Sequence, residues 1–374
     1  MHGDGPVSGA AGHSHLAFAE GRRGPVVFWN ITSRCNLACT HCYIRSGRRR
    51  EDELTTDEAI ALIDDLAIAD TPLLLFTGGE PLMREDFWIL AEHAKERGIP
   101  AALSTNGTLI TPDVARRLRG AGIGYAGISL DGATAATHDA FRGVAGSFDH
   151  SVQALKDCID AGLRCGVRFT VTKMNHNELG DLIALARGLG VHRFCVYWLV
   201  PSGRGGDVHS DLQVAPGEIR AILDLVYREA IRTDPAAMEF LTVDAPQDGV
   251  YLLERLDADR NPAYDRAYRL LTRMGGCSAG KRVVNIDPSG NVYPCQFAQF
   301  EEFRVGSIRD RPFSTLWSDP GNRVLATFRT GRSEHGSRCG SCGWRDVCDM
   351  GCRVRAYASC GYLDGGDPLC LRQG

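Results

Sequence analysis

Apolar positions in the first half of the chain follow two alternating patterns. Short continuous runs at 26–31, 73–76, 100–104, 125–130, 167–171 and 194–200 are too brief for helices and predict buried strands. Longer stretches between them carry apolar residues at helical spacing. In 55–69 these are Ile60, Leu62, Ile63, Leu66 and Ile68, with Thr55 or Thr56 placed to cap the helix. Helices are also expected over 85–97 (closed by Gly98), 112–120, 147–161 and 179–189. Strict alternation of strand and helix argues for parallel strands joined by right-handed crossovers. Six units are too few for a closed eight-fold barrel, so the pattern predicts an α/β fold built as an open, partial (β/α)6 barrel. Its functional groups should lie at the C-terminal ends of the strands.

The pattern weakens after about residue 215. A helix is expected over 216–233, a polar turn close to substrate at Asp244 to Gly249, and an exposed charged segment over 257–265. The chain therefore divides into a flexible tail (1–24), a barrel (25–215), a bridging helical region (216–276) and a cysteine-rich C-terminal domain (277–374). The tail lacks an apolar core and does not read as a secretory signal.

Composition narrows the classes. Of 374 residues, 24% are charged and 44% hydrophobic, which is ordinary for a globular protein. The net charge of −4 gives no electrostatic case for nucleic-acid binding. No apolar run is long enough to span a membrane. Fourteen cysteines is a high count for the cytoplasmic location expected here, where thiols stay reduced, and grouped reduced thiols point to metal or iron–sulfur ligation.

Three of them, Cys35, Cys39 and Cys42, follow the first strand directly. A ferredoxin-type cluster takes four nearby thiolates, but no further cysteine occurs before Cys158. A 4Fe–4S cube with one iron left open follows. A zinc knuckle completed by His41 is the competing reading. The second strand leads into Gly78-Gly79-Glu80-Pro81, where glycines permit close approach of a ligand and Glu80 offers a carboxylate to an ammonium group.

Together these two motifs resemble the radical S-adenosylmethionine (SAM) superfamily, in which the amino acid end of SAM chelates the open iron. The resemblance implies cleavage of SAM to a 5′-deoxyadenosyl radical that abstracts hydrogen from an unactivated carbon. By the same resemblance Thr105 and Asn106 would reach the ribose, and Ser129 with Arg142 the methionine carboxylate. Tyr43 and the backbone from Leu199 to Pro201 would hold the adenine, and a flavodoxin- or ferredoxin-type protein would donate electrons.

A second cysteine field, Cys277, Cys295, Cys339, Cys342, Cys348, Cys352 and Cys370, resembles the SPASM domain, which carries one or two auxiliary iron–sulfur clusters. The resemblance assigns Cys277, Cys295 and Cys352 to an inner cluster, with Cys360 or Asp349 as a fourth ligand, or an iron left open. It assigns Cys339, Cys342, Cys348 and Cys370 to an outer one. Zinc ribbons are the plainer alternative. Cys158, Cys165 and Cys195 read as buried small hydrophobes. Local segments around 194–205, 242–251, 285–297 and 351–357 resemble the branch that trims tetrapyrrole side chains in haem d1 and alternative haem biosynthesis. Ala245-Pro246-Gln247 departs from that branch. A maturase acting on a ribosomally made peptide is the alternative.

Overall fold

A computed structural model of the protein describes residues 24–330 and 339–372, so nearly all of the expected tail lies outside the described residues. Ten strands form one sheet: β1 (Val26–Asn30), β2 (Leu74–Thr77), β3 (Ala101–Thr105), β4 (Ile123–Ser129), β5 (Cys165–Val171), β6 (Arg193–Trp198), β7 (Glu239–Val243), β8 (Val283–Ile286), β9 (Asn291–Tyr293) and β10 (Gly306–Ser307). Their order is β10-β9-β8-β1-β2-β3-β4-β5-β6-β7. From β8 through β7 every neighbouring pair is parallel. The turn into β9 and β10 is antiparallel.

The expected six strand–helix units form the middle of this sheet. The strands are linked by α1 (Thr56–Ile68), α2 (Phe87–Glu96), α3 (Pro112–Gly120), α4 (Ala135–Arg142) with α5 (Ser147–Asp160) between β4 and β5, and α6 (Leu179–Leu189); the expected helix after β6 runs Pro216–Arg232. The expected bridging helical region also contains β7, whose register against β6 runs from Arg193↔Glu239 to Tyr197↔Val243. On the other edge the C-terminal domain adds β8 directly to β1, from Val26↔Val283 to Trp29↔Ile286.

Side chains alternate across the strands, so each strand serves two environments. Val27, Trp29, Leu74, Phe76, Leu103, Ile128, Val167, Phe169, Phe194 and Val196 point outward into the main core with the helices. Val26, Leu73, Leu75, Ala102, Phe28, Tyr125 and Val283 form a separate cluster within the barrel. Its interior is thus apolar beside β8, β1, β2 and β3. Beside β4 to β7 it is polar, with Arg193 bonded to Glu239 at 2.8 Å and lying 4.9 Å from the Tyr125 ring.

Candidate functional site

The loop after β1 is fastened from several sides before any of its thiols is considered. Glu53 is 6% exposed; its carboxylate accepts from Ser33 N (2.7 Å), Ser33 Oγ (2.6 Å) and Thr32 Oγ1 (2.9 Å). Ala38 N and Thr40 N donate to the carbonyls of Arg142 and Phe141 at the end of α4, both at 3.1 Å. Arg204, after β6, donates from Nε to Cys39 O (3.0 Å) and from Nη1 to Ser46 O (2.7 Å).

Held in this way, Cys35, Cys39 and Cys42 line one cavity. Leu37 N lies 3.4 Å from Cys35 Sγ, Ser46 N lies 3.3 Å from Cys42 Sγ, and Arg142 Nη1 lies 3.5 Å from Cys39 Sγ. Burial pushes the Cys35 thiol up to about 11 and raises that of Cys39, with Arg142 opposing the rise at Cys39. These groups want their protons until a cation shares the site; a bound metal reverses that preference. N–H groups aimed at sulfur are what a thiolate ligand needs, so the loop fits an iron–sulfur group. Among the described residues no three His, Cys, Asp or Glu side chains converge tightly enough for a single ion. Thiols bound to separate irons of a cube need not converge so closely. His41 stacks on Phe141 at 4.2 Å, and burial holds its ring uncharged.

The cavity, about 130 Å3 and partly open to solvent, is also lined by Tyr43, Thr77, Gly78, Gly79, Ser104, Thr105, Asn106, Ser129 and Arg142. Glu80 and Pro81 are not among its lining residues. Glu80 is fully buried, and its carboxylate accepts from Thr105 Oγ1 (2.8 Å), Asn106 N (2.9 Å) and Leu82 N (3.2 Å). The Gly78 and Gly79 backbone is what this segment presents. A Cβ on Gly78 would fall 2.5 Å from Thr32 O, and one on Gly79 would overlap Arg34 O. Close approach therefore occurs between this turn and the cysteine loop, sealed by Gly79 N→Thr32 O and Glu80 N→Arg34 O at 2.8 Å.

Asn106 is drawn into the same lattice, donating to Asn36 Oδ1 at 2.9 Å. Arg142 pairs with the buried Asp131, whose Oδ1 accepts from Thr170 N at 2.6 Å. Burial works against the Arg142 charge, but Asp131 and Cys39 outweigh it and keep the guanidinium protonated. Its Nε has no partner among the described residues. Tyr43 accepts from Asn30 Nδ2 at 2.7 Å and meets the Phe297 ring edge-on at 5.7 Å.

Three lining residues carry no signal in the sequence reading, or only a loose one: Arg168, Tyr197 and Asp244. Tyr197 and Asp244 lie at the C-terminal ends of β6 and β7, and Arg168 lies at the middle of β5. Strand register, once β7 is recognised, is the signal that would find them. Burial pushes the Asp244 carboxyl up to about 7, with Arg355 and Arg168 opposing.

The second cysteine field separates into two sets. The Cys295 thiol is raised by burial and by the nearby thiols of Cys277 and Cys352. Cys348 is pushed up to about 11 by burial, with Cys370, Cys342 and Cys339 also close. The latter four line a second cavity. Cys352 caps the helix Arg353–Cys360, and Cys360 ends it, roughly 12 Å away at 1.5 Å per residue. Cys360 is exposed and does not join the Cys352 set. Asp349 packs on Gly276, beside Cys277, and is bonded to Lys281 Nζ at 3.3 Å.

Profiles of the radical SAM superfamily and of an iron–sulfur cluster-binding (SPASM) domain match residues 29–186 and 277–343. The Fe-coproporphyrin III synthase of Methanosarcina barkeri is 38% identical over 96% of this chain and 90% of its own. The pre-heme d1 synthase of Dinoroseobacter shibae is 36% identical over 94% and 87%. The mycofactocin maturase MftC of Mycobacterium tuberculosis is 34% identical over 95% and 85%. In fold, Streptococcus suis SuiB bound to S-adenosylmethionine superposes with a TM-score of 0.73 at 18% identity, covering 93% of this chain and 77% of that one.

Proposed function

This chain belongs to the radical SAM superfamily and carries a SPASM domain, and from that premise we propose that it removes or decarboxylates acetate or propionate side chains of a tetrapyrrole. It is an enzyme whose cofactors are a SAM-binding 4Fe–4S cluster, SAM and auxiliary iron–sulfur clusters. The chain-wide likeness to two synthases of tetrapyrrole compounds carries the substrate reading. The likeness to a peptide-cofactor maturase keeps peptide modification as the second reading.

When bound, the cluster and SAM supply hydrogen-atom abstraction from an unactivated carbon. In this reading Cys35, Cys39 and Cys42 would hold three irons, and the Gly78–Gly79 backbone would meet the amino group. Thr105 and Asn106 would reach the ribose, and Ser129 and Arg142 the carboxylate. Tyr43 and the backbone of Leu199 to Pro201 would take the adenine. Glu80 acts behind them, fixing Thr105 and Asn106 rather than touching the ligand. The protein's part is orientation and exclusion of water, for which the buried lattice of Glu80, Asn106 and Asp131 is suited. Cys277, Cys295 and Cys352 would hold one auxiliary cluster; Cys339, Cys342, Cys348 and Cys370 would hold the other. A cytoplasmic site and a flavodoxin- or ferredoxin-type protein as electron donor complete the reading.

The test is the product. Anaerobically reconstituted enzyme given sirohaem derivatives should return a tetrapyrrole lighter by carboxyl or acetate units, read by mass spectrometry. Turnover of no tetrapyrrole, with 5′-deoxyadenosine still formed, would move the assignment to a peptide.

A further inference from the structure

Two arginines rise from the polar side of the barrel, and they are treated differently. Arg193, near the floor, is neutralised by Glu239 at 2.7 Å. Arg168 stands on β5 opposite Ser129 and Cys195 and lines the cavity. No hydrogen bond or ion pair is made by its guanidinium among the described residues; the group lies 4.5 Å from the Tyr197 ring. Room for it is built in, because a Cβ on Gly127 would fall 2.8 Å from Arg168 Cδ. Neighbouring acids are engaged or apart. Asp131 is committed to Arg142 and Thr170 N. Asp244 lines the same cavity close enough to feel the Arg355 and Arg168 charges, forms no ion pair with Arg168, and its Oδ2 has no hydrogen-bond partner among the described residues.

A guanidinium and a carboxylate oxygen that face one cavity without hydrogen-bond partners leave donor and acceptor capacity that a ligand can complete. A guanidinium offers a planar fork matched to a carboxylate. We propose that Arg168 is the substrate-side anion-binding residue of this cavity, distinct from Arg142, and takes a carboxylate of the substrate, with Asp244 accepting a hydrogen bond from an N–H or O–H of the same molecule. The apolar wall of Phe28 and Leu75 receives the flat or aliphatic body that carries the acid. This deepens the proposed function, since a tetrapyrrole propionate is one such group, but it needs only that the substrate be an acid.

The reconstituted holoenzyme, saturated with SAM, is tested by equilibrium dialysis against 3-phenylpropionate and the uncharged 3-phenylpropionamide. The wild-type protein should prefer the acid. Arg168→Met, which keeps the stem beside Gly127, should lose roughly ten-fold or more in acid affinity and leave the amide unchanged. SAM retention should stay within about two-fold of wild type. Equal acid binding by both proteins, or no acid binding by either, overturns the proposal. Loss of SAM with acid binding intact also overturns it, because the carboxylate would then be that of SAM. Should Arg168→Met lose its cluster absorbance, Arg168→Lys decides: a narrowed preference for acid over amide supports the fork, and an unchanged one rejects it. A parallel arm with iron coproporphyrin III separates the two readings. A wild-type protein that ignores it but holds 3-phenylpropionate through Arg168 removes the tetrapyrrole assignment and keeps this one.

Discussion

Gly203 sits at φ +57°, and a Cβ there would overlap the Cys42 carbonyl oxygen. An alanine would meet both the left-handed backbone penalty and a clash with the cysteine loop, together about 1–3 kcal/mol. Gly203→Ala should therefore displace that loop and cut 5′-deoxyadenosine formation after dithionite reduction by about ten-fold or more. Cluster absorbance from the C-terminal cysteines should remain; unaltered cleavage would show that the clamp after β6 is not needed. Glu80 supports a pH prediction. Burial pushes its carboxyl up to about 7, against the hydrogen bonds from Asn106 and Thr105. A raised carboxyl binds its proton more tightly in the folded chain, so stability falls as pH rises from roughly 4.5 to 7. The slope is on the order of 1 kcal/mol per pH unit for one such group. Urea unfolding of Glu80→Gln across that window should show a flatter profile than wild type.

Among the elements, α1 joins the barrel to the C-terminal domain through its own cap. Thr55 and Glu58 close a capping box, with Glu58 N→Thr55 Oγ1 at 3.2 Å and Thr55 N→Glu58 Oε2 at 2.8 Å. Arg309 then donates to the same carboxylate at 2.7 and 3.0 Å. Those bonds, the one from Arg309 foremost, lower the Glu58 carboxyl to about 2. A depressed carboxyl stabilises above its unfolded value near 4.3 and loses that effect as pH falls through about 2. The pair is a third exposed on each side, so solvent screening limits it to about 0.2–1 kcal/mol. Glu58→Gln should cost about that at pH 7 and little near pH 2, read as a difference in denaturation midpoint. The Thr55 cap was legible from the sequence, as were the six strands with continuous apolar runs. Helix α4 was not, because Ala135, Thr137, His138 and Asp139 give it little apolar periodicity. Strand β7 hid for a related reason: it is half-buried throughout, and Glu239 belongs there only because Arg193 lies opposite. The motif cysteines were visible as spacing and Asp244 as part of a polar turn, whereas Arg168 and Arg204 become site residues only through register and loop packing.

At the scale of the whole molecule, the sequence suggests a barrel followed by a separate cysteine-rich module, but the sheet runs through that boundary. β8 pairs along β1, and Asn285 Nδ2 donates to Phe28 O and Asn30 Oδ1, both at 2.7 Å. Ser314 Oγ bonds Asp65 on α1 at 2.6 Å, and Leu54 N bonds Pro288 O at 2.8 Å. Val284, Ile286, Phe313, Leu316, Leu325 and Leu369 belong to the same apolar core as Trp29 and Leu62. A chain ending after Gly276 would expose the edge of β1, the strand that aims the cysteine loop, together with that stripped apolar face. Bare edges of this kind pair with other chains. The truncated protein should therefore emerge from size exclusion as soluble aggregate or fail to stay in solution, while the full chain elutes as a discrete species. A monomeric 24–276 fragment with a cooperative unfolding transition and an intact first cluster would show that the β1–β8 seam is an attachment and not part of the barrel's own stability.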